Sequence, residues 1–398
     1  MAFADRMETG DAGAAAWGNL ALIQQLSGNL DSAQSLHQKA LILHQKFGSK
    51  EEKALELGNL GRLFQAKRDL DRAFAYHLAA LSIFREIDHP LGEMSQLSHL
   101  GRIRQTGGDA DSSLIHYQEA LEISRNIDFA EGEASQLSNI GWAHQSLGRA
   151  DMALDYYRQA LKIDKKTGYK RGEAQNHLTI GWIHEQKGEL EKAQKSYKKS
   201  VLLNRKAGFK MGQASALFSL GKLYRRLEEP NEALESLGQA LVIYREMGNR
   251  GAEANLLRQL GKLHEARGDD DNALTHFEQA LEIHQETGDL RNKARVLSDV
   301  GEIQKRRGNL QLALDQFQEV LEITRKFDDR YSEAMTLMAM AQINMASGDT
   351  KQGLKSANQA LKIFTEIGAE QEAAMVAESI KRAEESLEQA EKPMTDDE

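Results

Sequence analysis

Apolar residues along this chain recur at the three- and four-residue steps of a helix rather than in the alternation of a strand. The run DMALDYYRQALKIDKKTG, residues 151–168, is one example, and a glycine closes it. The pattern then repeats. The glycines in LGRLF, LGRIR, IGWAH, IGWIH, LGKLY, LGKLH and VGEIQ are Gly61, Gly101, Gly141, Gly181, Gly221, Gly261 and Gly301, each 40 residues after the last. Extending the ladder both ways lands on Ala21 and Ala341, with no gap or insertion between them. The spacing predicts nine tandem units, starting near 14, 54, 94, 134, 174, 214, 254, 294 and 334 and filling 14–373.

Other positions keep step with the glycine. Twelve residues on, every unit has a small residue, from Ala33 and Ala73 to Ala313 and Gly353. Nineteen residues on, the slot runs from Ala40 to Ala360 and is small everywhere except Val320. Sixteen residues on an aromatic recurs, as at Tyr117, Tyr157, Phe277 and Phe317. Small residues at fixed points let two antiparallel helices touch closely, where a larger side chain would part them. Seven residues after the ladder position a glycine is usual, as at Gly28, Gly108 and Gly188, where a helix ends in a left-handed cap. Pairs such as Asn29-Leu30 and Asp69-Leu70 follow, polar then apolar, as at a helix start. The second helix stops near Gly48, Asp88, Asp128, Gly168, Gly208, Gly248, Gly288, Asp328 or Gly368. Each unit is therefore helix, turn, helix, turn. One unit cannot bury its apolar face alone, so stacked units are expected to form a right-handed α-solenoid of nineteen helices.

These positions resemble the tetratricopeptide repeat, whose pattern has a large residue, Leu-Gly and an aromatic in the first helix. Trp17 and a run of leucines from Leu57 to Leu337 fill the large position. The usual unit of that family is about 34 residues. The longer period here, with turns such as ETGDLRNKA, resembles the subgroup typified by the LGN and Pins adaptors. That subgroup commonly has Asn directly after the repeat glycine; here the slot holds Arg62, Arg102, Trp142, Trp182, Lys222, Lys262 and Glu302. The resemblance implies an all-α superhelix that binds protein segments in a groove lined by its first helices.

Composition narrows the function classes. Three prolines in 398 residues, against a usual ~5%, agree with an almost wholly helical chain. The absence of cysteine excludes thiol nucleophiles, disulfides and thiolate metal sites. No apolar run approaches the roughly 18 residues of a membrane span, so no membrane insertion is expected. MAFADRMETGD has no basic segment followed by an apolar stretch, so no leader is expected and a cytoplasmic location is. The formal charge of −9 disfavours nucleic acid as a partner. Residues 4–11, ADRMETGD, resemble the tail of a second helix. Residues 374–391 continue the register as a terminal capping helix, and 392–398 read as a disordered acidic tail.

No catalytic constellation emerges. His184-Glu185 and His264-Glu265 begin like a zinc-protease helix, but the second histidine is missing. Phosphate-loop, dinucleotide and nucleophile-elbow motifs are also missing. His144, His184 and His264 share the slot three after the repeat glycine with Phe64 and Tyr224, and read as packing substitutes for an aromatic. The expectation is a non-enzyme without cofactor or metal. The side of the first helices expected to line the groove carries ten cationic and four anionic residues, opposite in sign to the chain as a whole. Arg62, Arg102, Lys222, Arg225, Arg226 and Lys262 are candidates for meeting an acidic peptide. Trp142 and Trp182 are candidate anchors. Ser98, Ser135, Ser138, Asn59, Asn139 and Gln105 are candidates for hydrogen bonds to its main chain. The reading is an adaptor holding a partner's peptide segment; the alternative is a sensory array responding to a small peptide.

Overall fold

The computed structural model describes residues 11–391, and these form nineteen α-helices with no strand among them. Nine are first helices: α1 (Asp11–Leu26), α3 (Lys50–Ala66), α5 (Pro90–Thr106), α7 (Ala130–Ser146), α9 (Lys170–Gln186), α11 (Lys210–Arg226), α13 (Arg250–Ala266), α15 (Leu290–Arg306) and α17 (Arg330–Ala346). Nine are second helices: α2 (Leu30–Phe47), α4 (Leu70–Glu86), α6 (Ala110–Asn126), α8 (Ala150–Thr167), α10 (Leu190–Lys206), α12 (Pro230–Glu246), α14 (Asp270–Thr287), α16 (Leu310–Lys326) and α18 (Thr350–Glu366). A last helix, α19 (Glu370–Glu391), follows. The acidic stretch 392–398 and nearly all of 4–11 lie outside the described residues.

Local chemistry starts and stops these helices. Asp69, Asp109, Asp289, Asp329 and Asp349 each accept the backbone N–H three residues on, at 3.0–3.2 Å. Ser49 and Glu52 form a reciprocal capping box at α3. The turns after the helices are left-handed, mostly at glycine. Arg68, Asp88, Asp128, Glu228 and Asp328 adopt the same conformation at φ 52–61° without being glycine. Gly48 departs from the expected pattern: it is extended, φ −87°, and hands the chain directly to the Ser49 cap.

The repeat glycine has a steric cause. A Cβ on Gly61, Gly101, Gly181, Gly261 or Gly301 would lie 2.5–2.9 Å from His77, Tyr117, Tyr197, Phe277 or Phe317, sixteen residues on. The sixteen-on slot is thus filled by Tyr197, His77 and Leu237 as well as by the four aromatics that announce it. The small residues twelve and nineteen on are buried throughout, Ala33 and Ala360 included.

The described chain divides into two compact units, up to Ala216 and from Leu217, with the boundary inside α11. The period runs through that boundary without insertion. In the first unit α6, α7 and α8 share a core of Leu114, Tyr117, Leu137, Ile140 and Ala160. In the second, Val376 and Ile380 of α19 pack into a core with Leu321, Leu337 and Phe364. A periodic ion-pair clasp, absent from the sequence reading, adds to the stacking. Arg245 and Arg250 hold buried Glu253 at 2.9 and 3.0 Å, and Arg325 and Arg330 hold buried Glu333 at 2.9 and 2.7 Å.

Candidate functional site

In the first unit the slot after the repeat glycine is exposed on four successive first helices. It presents Arg62 on α3, Arg102 on α5, Trp142 on α7 and Trp182 on α9. The two indoles are 36% and 44% exposed, unusual for so large an apolar side chain. Neither arginine is loose. Arg62 donates to Asn59 Oδ1 at 2.5 Å, and Asn59 donates to Glu56 at 3.1 Å. Glu56 pairs with the fully buried His37 at 2.5 Å. Arg102 donates to His99 Nδ1 at 2.6 Å. A guanidinium always donates, so His99 is the neutral tautomer with its proton on Nε2.

The His99 ring stacks on His77, with centroids 4.5 Å apart and planes 5° apart. His77 Nδ1 in turn meets the Gln96 carbonyl oxygen at 2.8 Å. Burial pushes His99 down to about 3, aided by the charges of His77, Arg102 and Arg62. Burial likewise pushes His77 down to about 4, although its Gln96 hydrogen bond opposes this. Both rings are therefore uncharged at neutral pH, and they add no positive charge to the arginine face.

Between α5 and α7 lies a cavity of about 490 Å³, lined by Ser98, His99, Arg102, Ser135 and Asn139 with Tyr169 at its edge. Several side chains expected to serve a ligand's main chain already have partners in the protein. Ser138 donates to Ala134 O and Asn176, Asn139 donates to Gln136, and Gln105 donates to Ser146. Ser135 keeps its exposure.

The second unit treats its cations differently. Lys222 is exposed, 5.7 Å from the Phe218 ring centroid, and Arg225 donates to Gln259 at 3.2 Å. Arg226 is exposed at the end of α11. Lys262 is not an open cation. It bonds Glu265 at 3.0 Å and Asp299 at 2.8 Å. Burial opposes its charge, but these carboxylates outweigh it and raise the ammonium above its ordinary value. Arg258 also holds Asp299, at 2.6 Å, and Arg306 holds Glu265, at 2.8 Å. Lys262, Arg258 and Arg306 are thus held by acids of the same face, partly across neighbouring repeats, while the face keeps its surplus of cations over acids.

A further cavity, of about 460 Å³, lies between α15 and α17 and includes Ser298, Glu302, Phe327, Tyr331 and Met335. It occupies the register of the α5/α7 cavity, five repeats later: Ser298 matches Ser98, Glu302 matches Arg102 and Met335 matches Ser135. The same groove position is mainly polar in one unit and more apolar in the other, where Arg291, Arg295, Glu302 and Asp329 edge it with charges of both signs. No motif or departure in the repeat ladder marks a site here. Its signal is Tyr331 and Met335, 47% and 48% exposed.

Among the described residues no group of three or more histidines and acids is placed to hold a metal. His184 pairs with Glu189 at 2.5 Å, His264 with Asp269 at 3.0 Å, and His144 stacks on Tyr156. No described helix is long and apolar enough to cross a membrane.

No curated protein matches the sequence. Solved structures match in fold. A signal-transduction ATPase with numerous domains and a tetratricopeptide repeat sensor, from Pyrococcus horikoshii, aligns at a TM-score of 0.63 and 13% identity. The alignment covers 86% of this chain and 55% of that one. The apo quorum sensor NprR from B. thuringiensis aligns at 0.56 and 12% identity, covering 89% and 99%. BtubC from P. vanneervenii aligns at 0.52 and 22% identity, covering 55% and 92%. At the level of sequence, the tetratricopeptide repeat profile matches residues 14–86, 93–166, 172–246 and 252–326, well over half the chain. With its paired helices, its repeat glycine and this match, the chain belongs to the tetratricopeptide repeat family.

Proposed function

We propose that this protein is a non-catalytic adaptor that holds a peptide segment of a protein partner against the first helices of its first unit, in a cytoplasmic setting. One observation carries the reading: four successive first helices present, at one register, two exposed guanidinium groups and then two exposed indoles. Arg62 and Arg102 would meet acidic side chains and speed encounter. Trp142 and Trp182 would supply the desolvated contact that sets the lifetime of the complex. The 490 Å³ cavity beside Arg102 offers room for a ligand side chain between α5 and α7. Lys222, Arg225 and Arg226 of the second unit are proposed as a separate basic patch, while Lys262 serves its two carboxylates. The 40-residue period is the sole support for an LGN- or Pins-type adaptor.

The second reading is a sensory array for a small peptide. The likeness in fold to the quorum sensor NprR favours it, as does the apolar α15/α17 cavity. An array of synthetic peptides rich in Asp and Glu with one aromatic or leucine, probed at several salt concentrations, separates the two. The adaptor reading expects binding that falls with salt, slows in association for Arg102→Glu and dissociates at least tenfold faster for Trp182→Ala. Unaltered binding by both variants, at unaltered helicity, would sink it.

A further inference from the structure

Three departures from the forty-residue pattern meet at one place in the first unit. The core register held by leucine in seven other repeats, from Leu57 to Leu337, holds His177 on α9. Both ring nitrogens of His177 are buried without a hydrogen-bond partner. Second, a cation near the end of the second helix finds an acceptor 34 residues on in two other repeats. Arg85 pairs with Glu119, and Arg245 donates to Gln279 at 2.9 Å. At that register Lys165 is followed by Lys199. Third, α10 carries Lys192, Lys195, Lys198, Lys199, Arg205 and Lys206 against one acid, Glu191. The three departures line one cavity of about 490 Å³, with Lys165 of α8, His177 of α9, and Lys195, Lys198, Lys199 and Leu202 of α10.

We propose that this cavity binds an anion of the phosphate class, with the lysine ammonium groups around it and His177 donating a ring N–H to it.

Lys165, Lys195 and Lys199 make no ion pair or hydrogen bond among the described residues. The nearby acid Glu173 is buried and bonded to Lys170 at 3.0 Å. Burial, with the charges of Lys165 and Lys199, holds His177 down to about 4, so at neutral pH it is an uncharged ring with one N–H to give. Ammonium groups are compact point charges suited to phosphate oxygens. Lys165, Lys195 and Lys199 are exposed like charges, and a bound anion would relieve their mutual repulsion. Local rules broken together at one cavity mark a functional place. Leu202, 42% exposed, adds an apolar edge. The site is built from α8, α9 and α10 and does not depend on the peptide-binding face proposed above.

The test uses the full chain with inorganic pyrophosphate and, separately, O-phosphoserine, each against sodium chloride at matched ionic strength. Calorimetry and thermal unfolding are followed for the wild type, Lys199→Glu, His177→Leu and the charge-matched control Lys355→Glu. Lys199→Glu recreates the Arg85–Glu119 pairing, and His177→Leu restores the leucine of the other repeats, so both are expected to fold with an unchanged or raised Tm. Pyrophosphate should bind and stabilise the wild type and the control, and bind both site variants at least tenfold more weakly. The His177 ring resonance should shift, and its pKa should rise, as pyrophosphate is added to the wild type; this readout does not depend on any variant folding. Binding of O-phosphoserine as well assigns the site to phosphate monoesters, and binding of pyrophosphate alone assigns it to polyphosphates. Pyrophosphate acting no differently from chloride, an unmoved His177, or equal binding by wild type and both site variants would overturn the proposal.

Discussion

Glycine-to-alanine substitution carries opposite signs at Gly181 and Gly238. At Gly181 the new methyl would sit 2.7 Å from the Tyr197 ring, which is itself fully buried and cannot retreat. Overpacking of that kind costs about 1–3 kcal/mol. At Gly238, inside α12, nothing lies within 4 Å of the added atom. There alanine removes only the entropic penalty of glycine in a helix and should stabilise by about 1 kcal/mol. Urea unfolding of the two variants checks both signs; a tolerated Gly181→Ala would mean that the sixteen-on ring does not govern the repeat glycine. The glycine was legible from its period alone. The partner side chain was legible at Tyr117, Tyr157, Phe277 and Phe317, overlooked at Tyr197, and obscured where the slot holds His77 or Leu237.

Helix pairs differ in what they bury between them. The register of Glu56, Gln96, Gln136 and Asn176 is buried and polar, whereas Ala216, Leu256 and Val296 continue it as apolar and Thr336 returns it to polar. The polar version brings His77 of α4 and His99 of α5 together, and burial holds both below their ordinary value. A depressed histidine stabilises the fold fully above the unfolded pKa of about 6.5. Below that, the unfolded chain takes a proton that the folded chain refuses, so stability falls with pH until the folded values of about 4 and about 3 are reached. Each ring can contribute a loss of up to ~1.4 kcal/mol per pH unit in that window. Urea unfolding at pH 7.5 and 5 should show the loss, and His99→Gln should make it shallower. Equal slopes would remove His99 from the account. The ion pairs between elements were not legible. Lys262 meets Asp299 and Arg306 meets Glu265 across neighbouring first helices. A count of charges along one face treats such pairs as free, because the period fixes which residues share a face but not which side chains cross between repeats.

Among the described residues of each unit, most contacts run between successive helices. Damage should therefore stay local. Val376→Ala opens a cavity against Phe364 and Leu337 at a cost of about 1–3 kcal/mol. Hydrogen exchange should rise in α17 to α19 and stay unchanged in α3 to α7; a uniform rise would show one cooperative unit. Fold class, helix number and helix positions were legible because they follow from periodicity. The apolar character of the α15/α17 cavity was not, because it depends on Tyr331 and Met335 standing where α7 has Glu131 and Ser135. The glycine-to-ring contact recurs at a fixed step, so the chain tolerates length changes only in quanta. Excising 40 residues inside the array would rejoin a first helix to a second helix in the correct phase, and each small residue would again meet a matching neighbour. Excising 39 with the junction inside a helix would rotate the rest of that helix by about 100° and turn its buried stripe outward. The genetic unit that can be lost or duplicated without destroying the fold is thus the same unit that the sequence counts.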